Sequence, residues 1–306
     1  MVEAPEIKQA FRQVSVIGLG LIGGSIAAGI KQQGLASSVC AWDANAASLA
    51  LGHDLGVIDT IAEDIHEATA QADLIILAVP VQSLEQVLCD IELKGQVITD
   101  VGSVKSITVE AARRVFGELP KNFIPGHPIA GSEKQGVVAA DPNLFRQHKV
   151  ILTPEEASNP AAIARVEKLW RGLGADVVKM SVSHHDDVLA QTSHLPHLLA
   201  YALVDTLSAG GDSLEVFEYA AGGFRDFSRI AASDPTMWSD VFQANKGPLM
   251  RVLDQYLLKL EMMKQLIEYG DADEVKDLLI RAKVARDHFS DIQAMARTKK
   301  ARTKDD

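Results

Sequence analysis

Hydrophobic and polar positions along the chain follow two periods, and the change from one to the other divides it. Short apolar runs at residues 14–17, 39–42, 74–79, 96–100, 150–152 and 176–180 have the length and composition of strands. Between several of them, over residues 22–30, 45–55 and 160–173, apolar side chains recur every three or four positions, which predicts helices. Strands alternating with helices imply right-handed βαβ units and a parallel sheet. The run from Leu74 to Val79 is apolar at every position, as a central strand covered on both faces should be, and Pro80 ends it. Beyond Met180 strand signals nearly vanish, and residues 184–209, 214–220, 237–244, 249–269 and 274–288 all carry helical spacing. The pattern predicts an α/β domain over 1–180, an all-α domain over 181–292 and a flexible, unpatterned tail over 293–306.

The first strand runs into Gly18-Leu19-Gly20-Leu21-Ile22-Gly23-Gly24-Ser25, a G-x-G-x-x-G sequence set between a strand and a helix. In that context it identifies the first domain as a Rossmann-type dinucleotide-binding domain. Gly18 permits the tight turn, Gly20 lets backbone N–H groups approach a pyrophosphate, and Gly23 lets the helix pack closely on the strand. Leu21 and Ile22 open the helix whose positive end faces the phosphates. Asp43 ends the second strand about 20 residues further on, where a carboxylate accepts hydrogen bonds from the adenosine ribose; it also suits a turn or helix cap before Ala46. No Arg or Lys lies between Asp43 and Asp73 to receive a 2′-phosphate, so NAD is favoured over NADP. Val79 and Pro80 stand at the carboxyl end of their strand, where open α/β sheets bind ligands. They line the nicotinamide half of the groove or simply terminate the strand.

Composition narrows the partners. At 306 residues and 47% hydrophobic the chain can build two cores, and its net charge of -11, with no basic stripe before the last ten residues, argues against a nucleic-acid or anionic-membrane surface. A small anionic substrate stays open, because local arginines bind one inside a pocket whatever the overall charge. The two cysteines, Cys40 and Cys89, lack CxxC spacing, no secretory segment opens the chain, and the apolar runs are too short or too interrupted to span a bilayer. A reducing cytoplasm is expected.

Candidate chemistry clusters in four stretches. Ser103, in Asp100-Val101-Gly102-Ser103-Val104-Lys105, caps the next helix or points its hydroxyl into the groove. In Gly126-His127-Pro128-Ile129-Ala130-Gly131-Ser132-Glu133, prolines stiffen the loop around a histidine at a strand end, which points to a catalytic His127. In Ser193-His194-Leu195-Pro196-His197 the two histidines share a helix face beside a proline kink, as buried structural groups or as a pocket wall for an anion. A metal is not expected, since no further ligands accompany them. The preceding His184, His185, Asp186 and Asp187 read as a solvated first turn. Arg225 and Arg229 lie one helical turn apart, one expected to pair with Asp226 or another acid and the other free for a carboxylate, with a plain salt bridge as the alternative. Trp238 reads as core. The apolar face of residues 252–267 exceeds what a small domain covers by itself and predicts a homodimer.

Taken together with the glycine stretch, these pieces resemble the prephenate and arogenate (cyclohexadienyl) dehydrogenases of tyrosine biosynthesis, in the family's order over roughly residues 14 to 290. The glycine fingerprint is shared with every dinucleotide fold, whereas the G-H-P-I-A-G and S-H-L-P-H pieces are much more specific. The resemblance implies an NAD(P)-dependent oxidative decarboxylation of a cyclohexadienol, with hydride passing to nicotinamide and the ring carboxylate leaving as CO2. It implies His127 as the base on the ring hydroxyl and Ser103 as its companion, orienting the imidazole or touching the hydroxyl and nicotinamide. Arg229 is implied as the carboxylate clamp, His197 as the contact that separates pyruvyl from alanyl substrates, and His194 as a further substrate contact. Glu133 and Asp226 are implied as supports, and Trp238 as a pocket wall. The short stretch after Phe289 leaves no room for a regulatory domain, so tyrosine, if it inhibits, is expected to compete with substrate. Another hydroxyacid dehydrogenase should carry a catalytic Lys early in the helical domain, where none occurs between Met180 and Lys246. A non-catalytic NAD sensor is the remaining alternative.

Overall fold

A computed structural model of the chain describes residues 10–131, 134–209 and 218–302, with residues 292–302 described by backbone alone. Glu133, assigned above to substrate binding, and most of the helix predicted over 214–220 lie outside the described residues. Five parallel strands, β1 (Phe11–Ile17), β2 (Ala36–Trp42), β3 (Thr60–Ile61), β4 (Leu74–Leu77) and β5 (Val97–Asp100), form a sheet in the order β3-β2-β1-β4-β5. The order reverses between β1 and β4, and α1 (Leu21–Gln32) starts at that point, which puts the glycine stretch at the switch of the sheet. Crossovers run through α2 (Ala46–Asp54), α3 (Ile65–Ala70) and α4 (Leu84–Cys89), and α5 (Lys105–Phe116) follows β5.

Strand β4 shows why the pattern is legible. Leu74 and Ile76 enter the core on one face while Ile75 and Leu77 enter the core on the other, and all four are buried. The first core includes α1 and Trp170 of α6 (Pro160–Gly172); the second includes the apolar faces of α3, α4 and α5. Edge strand β3 is held to two exposed residues, which limits pairing with other chains.

Beyond β5 the sheet changes direction. Residues 122–124 lie along β5, with Ile98 N donating to Asn122 O at 3.0 Å and Ile124 N to Ile98 O at 2.8 Å. The chain then forms β6 (Gly126–Pro128), antiparallel to β7 (Lys149–Leu152), which pairs in parallel with β8 (Asp176–Lys179). This turn carries His127 to the carboxyl end of β5.

After β8 come α7 (Val182–Leu189), one π-helical turn at Ala190–His194, α8 (Leu195–Ser208), α9 (Gly222–Ser228), α10 (Pro235–Ala244), α11 (Lys246–Tyr269) and α12 (Ala272–Arg302). The kink expected at Pro196 is instead this wide turn followed by a restart, with the proline in the first turn of α8, where its missing N–H costs nothing. The chain divides into two compact units, one ending at Leu249 and the other starting at Met250. Helices α7 to α10 therefore belong to the same unit as the sheet. In the second unit, Leu257, Leu258, Met262 and Ile267 of α11 and Leu279, Val284 and Phe289 of α12 are exposed. The stretch read as an unpatterned tail is helical through Arg302, because Ala, Met, Arg and Lys favour helix even without an apolar stripe.

Candidate active site

The glycine loop is shaped to hold a phosphate. Gly18 has φ +95°, and a Cβ there would stand 2.4 Å from the Ala78 carbonyl oxygen; one at Gly23 would stand 2.0 Å from Gly18 O. Both positions exclude any side chain. Gly20 differs: a Cβ built there meets nothing within 4 Å, so its lack of a side chain keeps space open. It is the N-cap of α1, no side chain caps that end, and no acid occupies the first turn, so the free N–H groups face the open side with the helix dipole behind them. Leu21 and Ile22 are half-buried in that first turn. Asp43 accepts from Leu19 N at 2.6 Å and Asn45 N at 2.7 Å, holding the loop to the end of β2; each oxygen keeps a lone pair for a ribose hydroxyl. The helix cap considered for Asp43 falls to Asn45, whose side chain accepts from Ala47 N. Ala78 N donates to Ile17 O and Gly18 N to Trp42 O, so Val79 and Pro80 leave β4 beside Gly18. These features fit a dinucleotide.

On the other side of the switch, a buried polar cluster joins β5, β6, α5 and α7. Asp100, at the end of β5, accepts from Gly102 N (2.9 Å), Gly126 N (3.1 Å) and Thr108 Oγ1 (3.1 Å), and pairs with the ammonium of Lys105. Lys105 is fully buried and donates also to Gly126 O at 2.7 Å; burial pulls its pKa below the usual lysine value while Asp100 opposes that shift. Gly126 is thereby fixed on both its N–H and its C=O. His127 follows with Nδ1 2.9 Å from His185 Nε2, and His185 Nδ1 lies 2.7 Å from Asp186 Oδ1. The Asp186 carboxylate also accepts from Lys105 N (2.8 Å) and Ser106 N (2.9 Å), capping α5 from α7. Burial, then the neighbouring His185, Lys105 and His194, push the His127 pKa well below that of a free imidazole, so it is neutral at pH 7. Burial pushes Asp186 up, but its bonds from His185, Ser106 and Lys105 outweigh this and hold it below the usual carboxylate value.

The opposite wall comes from the π turn and α8 to α10. His194 is buried, and burial, against the pull of Asp186, lowers its pKa to about 4; Asn245 Nδ2 lies 3.0 Å from its Nδ1 and donates to Asp186 O at 2.9 Å. His197 stacks on Trp238, with ring centroids 3.6 Å apart and 20° between planes, and Trp238 packs with Val104 of the Ser103 turn. Burial lowers the His197 pKa and the nearby charge of Arg229 adds to this. Arg225, Asp226 and Arg229 are exposed, and the expected pairing with Asp226 does not form among the described residues, because the helix points these side chains outward.

Two sequence readings need correction. His185 and Asp186 are not a solvated first turn: both are buried, since α7 lays that face on the start of α5, and only His184 is exposed. Ser103 is not the cap of α5: Val104 holds that position and Asp186 satisfies the first N–H groups, leaving Ser103 half-buried in the turn. Sequence reasoning missed Lys105, Asp100, Asp186, His185 and Asn245 as parts of the site. The one available signal was the coincidence of Asp and Lys at the end of an apolar strand with a later His-Asp pair. Among the described residues no three His, Cys, Asp or Glu side chains converge on a metal-sized site.

A phosphate-ready glycine turn at the sheet switch, together with a buried neutral histidine beyond the end of β5, defines an NAD-dependent oxidoreductase with a Rossmann-type domain followed by helices. Residues 26–179 match the family model described as prephenate dehydrogenase, nucleotide-binding domain, and residues 181–281 match prephenate dehydrogenase, dimerization domain. The chain belongs to the prephenate dehydrogenase family. It is 36% identical over 282 residues to the cyclohexadienyl dehydrogenase of Zymomonas mobilis, covering 90% of this chain and 95% of that one. It is 35% identical over 281 residues to the prephenate dehydrogenase of Bacillus subtilis, covering 90% of this chain and 75% of that one. The crystal structure of Aquifex aeolicus prephenate dehydrogenase, in complex with hydroxyphenyl propionate and NAD+, superposes with a TM-score of 0.85 at 35% identity, over 91% of this chain and 98% of that chain.

Proposed function

We propose that this chain catalyses the NAD-dependent oxidative decarboxylation of prephenate, arogenate or both, giving 4-hydroxyphenylpyruvate or tyrosine and CO2. The observation that carries the reading is a neutral His127 whose Nδ1 is engaged by His185, beside a glycine turn open to a dinucleotide. NAD, when bound, is held by Gly18, Gly20, Leu21, Ile22, Gly23 and Asp43, with Val79, Pro80 and Ser103 toward the nicotinamide, and it accepts the hydride from the ring carbon that bears the hydroxyl. His127 takes the hydroxyl proton as carbonyl character develops. Loss of the ring carboxylate as CO2 leaves its electron pair in the ring, which becomes aromatic, and His127 returns its proton to the phenolate oxygen. The step therefore consumes no net proton, and general-base action of this kind contributes on the order of 100- to 10,000-fold.

Arg229 clamps a substrate carboxylate, Glu133 and Asp226 are outer supports of the site's groups, and His194, His197 and Trp238 line the substrate side. Residues 1–180 form the cofactor domain and 181–292 a helical domain that dimerises two copies; the exposed apolar residues of α11 and α12 support this. Free Cys40 and Cys89 suit a reducing cytoplasm. Following reduced-nicotinamide absorbance with prephenate, arogenate and simple hydroxyacids, each with NAD and with NADP, tests the reading. Turnover of a cyclohexadienol with NAD is expected, whereas turnover of simple hydroxyacids alone, or none, overturns it. Tyrosine should compete with substrate, and purely noncompetitive inhibition contradicts that. Light scattering should return a dimer at micromolar concentration.

A further inference from the structure

The buried polar cluster contains two imidazoles whose ring protons are dictated by different partners. Asp186, an acceptor when ionised, lies 2.7 Å from His185 Nδ1, so that nitrogen carries hydrogen and His185 Nε2 carries a lone pair. His127 Nδ1, 2.9 Å from that lone pair, must then be the donor. The consequence is a bare Nε2 on His127. At His194 the logic runs the other way. Asn245 Nδ2 donates to the Asp186 carbonyl, which can only accept, so the amide presents its NH2 group on that side. His194 Nδ1, 3.0 Å from the same Nδ2, must accept, and its hydrogen sits on Nε2.

We propose that Asp186, acting through His185 and with Asn245, is a positioning device that locks His127 and His194 in opposite tautomers, one presenting a bare Nε2 as base and the other an Nε2–H as donor to the substrate. Asp186 does this with both ends, its carboxylate serving His185 and its backbone carbonyl orienting Asn245. The inference rests on the dehydrogenase reading for its catalytic consequence but not for the tautomers. Of the charged and titratable groups around the His127–His185 pair, Lys105 on α5, His185 and His194 oppose a charge on His127, whereas Asp186 on α7 and Asp100 at the end of β5 favour one on His185. The proton His127 gains is shared through the Nδ1 bond with His185, where Asp186 and Asp100 favour the charge, until it returns to the product oxygen.

The assignment is read directly by nitrogen NMR of the full-length, histidine-labelled protein near neutral pH. Four signals decide it: His127 protonated on Nδ1 and bare on Nε2, His194 the reverse. A His127 proton on Nε2, or averaging between tautomers, overturns the proposal whether or not the protein turns over prephenate. Asp186→Asn should cut kcat by about 100-fold or more, with KM changed only a few-fold, and should produce mixed His127 tautomers. Should that variant fold poorly, His185→Gln serves, because its carbonyl still accepts from His127; it should retain the tautomer and recover most of the activity that His185→Phe loses. Equal loss in the Gln and Phe variants would reduce His185 to packing and sink the relay. A wild type with the expected tautomers but no activity on any cyclohexadienol would instead refute the functional reading alone.

Discussion

The glycine turn and the histidine cluster sit on either side of the sheet switch and are built in opposite ways. Gly18, Gly20 and Gly23 act through what they lack, within one short segment, and two of the three are fixed by contacts to backbone a few residues or one strand away. The cluster draws Asp100, Lys105, His127, His185, Asp186, His194 and Asn245 from two strands and the helices around them, and each acts through a polar atom that must find a partner away from water. A site made of absences tolerates few substitutions but needs no network. A site made of buried bonds depends on every member.

That contrast predicts where damage is greatest. His127→Asn keeps a polar group of similar reach but not the base, so kcat should fall by about 100- to 10,000-fold while KM for substrate moves only a few-fold, measured by steady-state kinetics. Near-normal turnover would remove His127 from the base role.

Lys105→Met leaves Asp100 buried without its ion-pair partner. The cost should be about 3–5 kcal/mol in urea unfolding, far beyond the effect of losing any exposed pair such as Arg113–Glu155. A change below about 1 kcal/mol would mean the pair is not buried in solution.

Acid should expose the same dependence. His127 and His185 are shifted down, and His194 lies at about 4, so the unfolded chain accepts protons near pH 6.5 that the folded chain refuses. Stability is therefore full above about pH 6.5 and falls as pH drops toward 4, by up to about 1.4 kcal/mol per pH unit for each histidine. Denaturation midpoints at about pH 7.5, 6 and 5 check this, and a flat profile contradicts it.

Legibility follows the same division. The strands, the parallel sheet and the glycine turn are readable because short apolar runs and a local motif state themselves within a dozen residues. His127 is readable from its loop. His185 and Asp186 are not, because a charged pair at a helix start looks the same whether water or another helix end covers it. Only the packing of α7 on α5 decides, and the partner residues, Lys105 and Ser106, lie far away in sequence. Asn245 ends α10 as its C-cap, a place that reads as plain helix termination and gives no sign of the bonds its side chain makes to Asp186 and His194.

Arg229→Ala tests the exposed wall. A charge-assisted bond to a carboxylate contributes about 1.5–3 kcal/mol, so KM should rise roughly 10- to 150-fold with kcat much less affected, and an unchanged KM would leave Arg229 a surface charge.

The mildest change sharpens the comparison most. Gly23→Ala must push the Gly18 carbonyl from 2.0 Å, so the turn itself deforms and both unfolding stability and cofactor binding should suffer. Gly20→Ala adds the same methyl where the protein has nothing within 4 Å, and at an N-cap the difference between Gly and Ala is only about 1 kcal/mol. Its stability should be nearly wild type, yet the methyl occupies the space through which a pyrophosphate reaches the first N–H groups of α1, so KM for NAD should rise several-fold with kcat at saturation preserved. If Gly20→Ala binds NAD normally in calorimetry, the open space at Gly20 is not where the phosphates lie. The turn would then hold the cofactor by some other edge of the sheet switch.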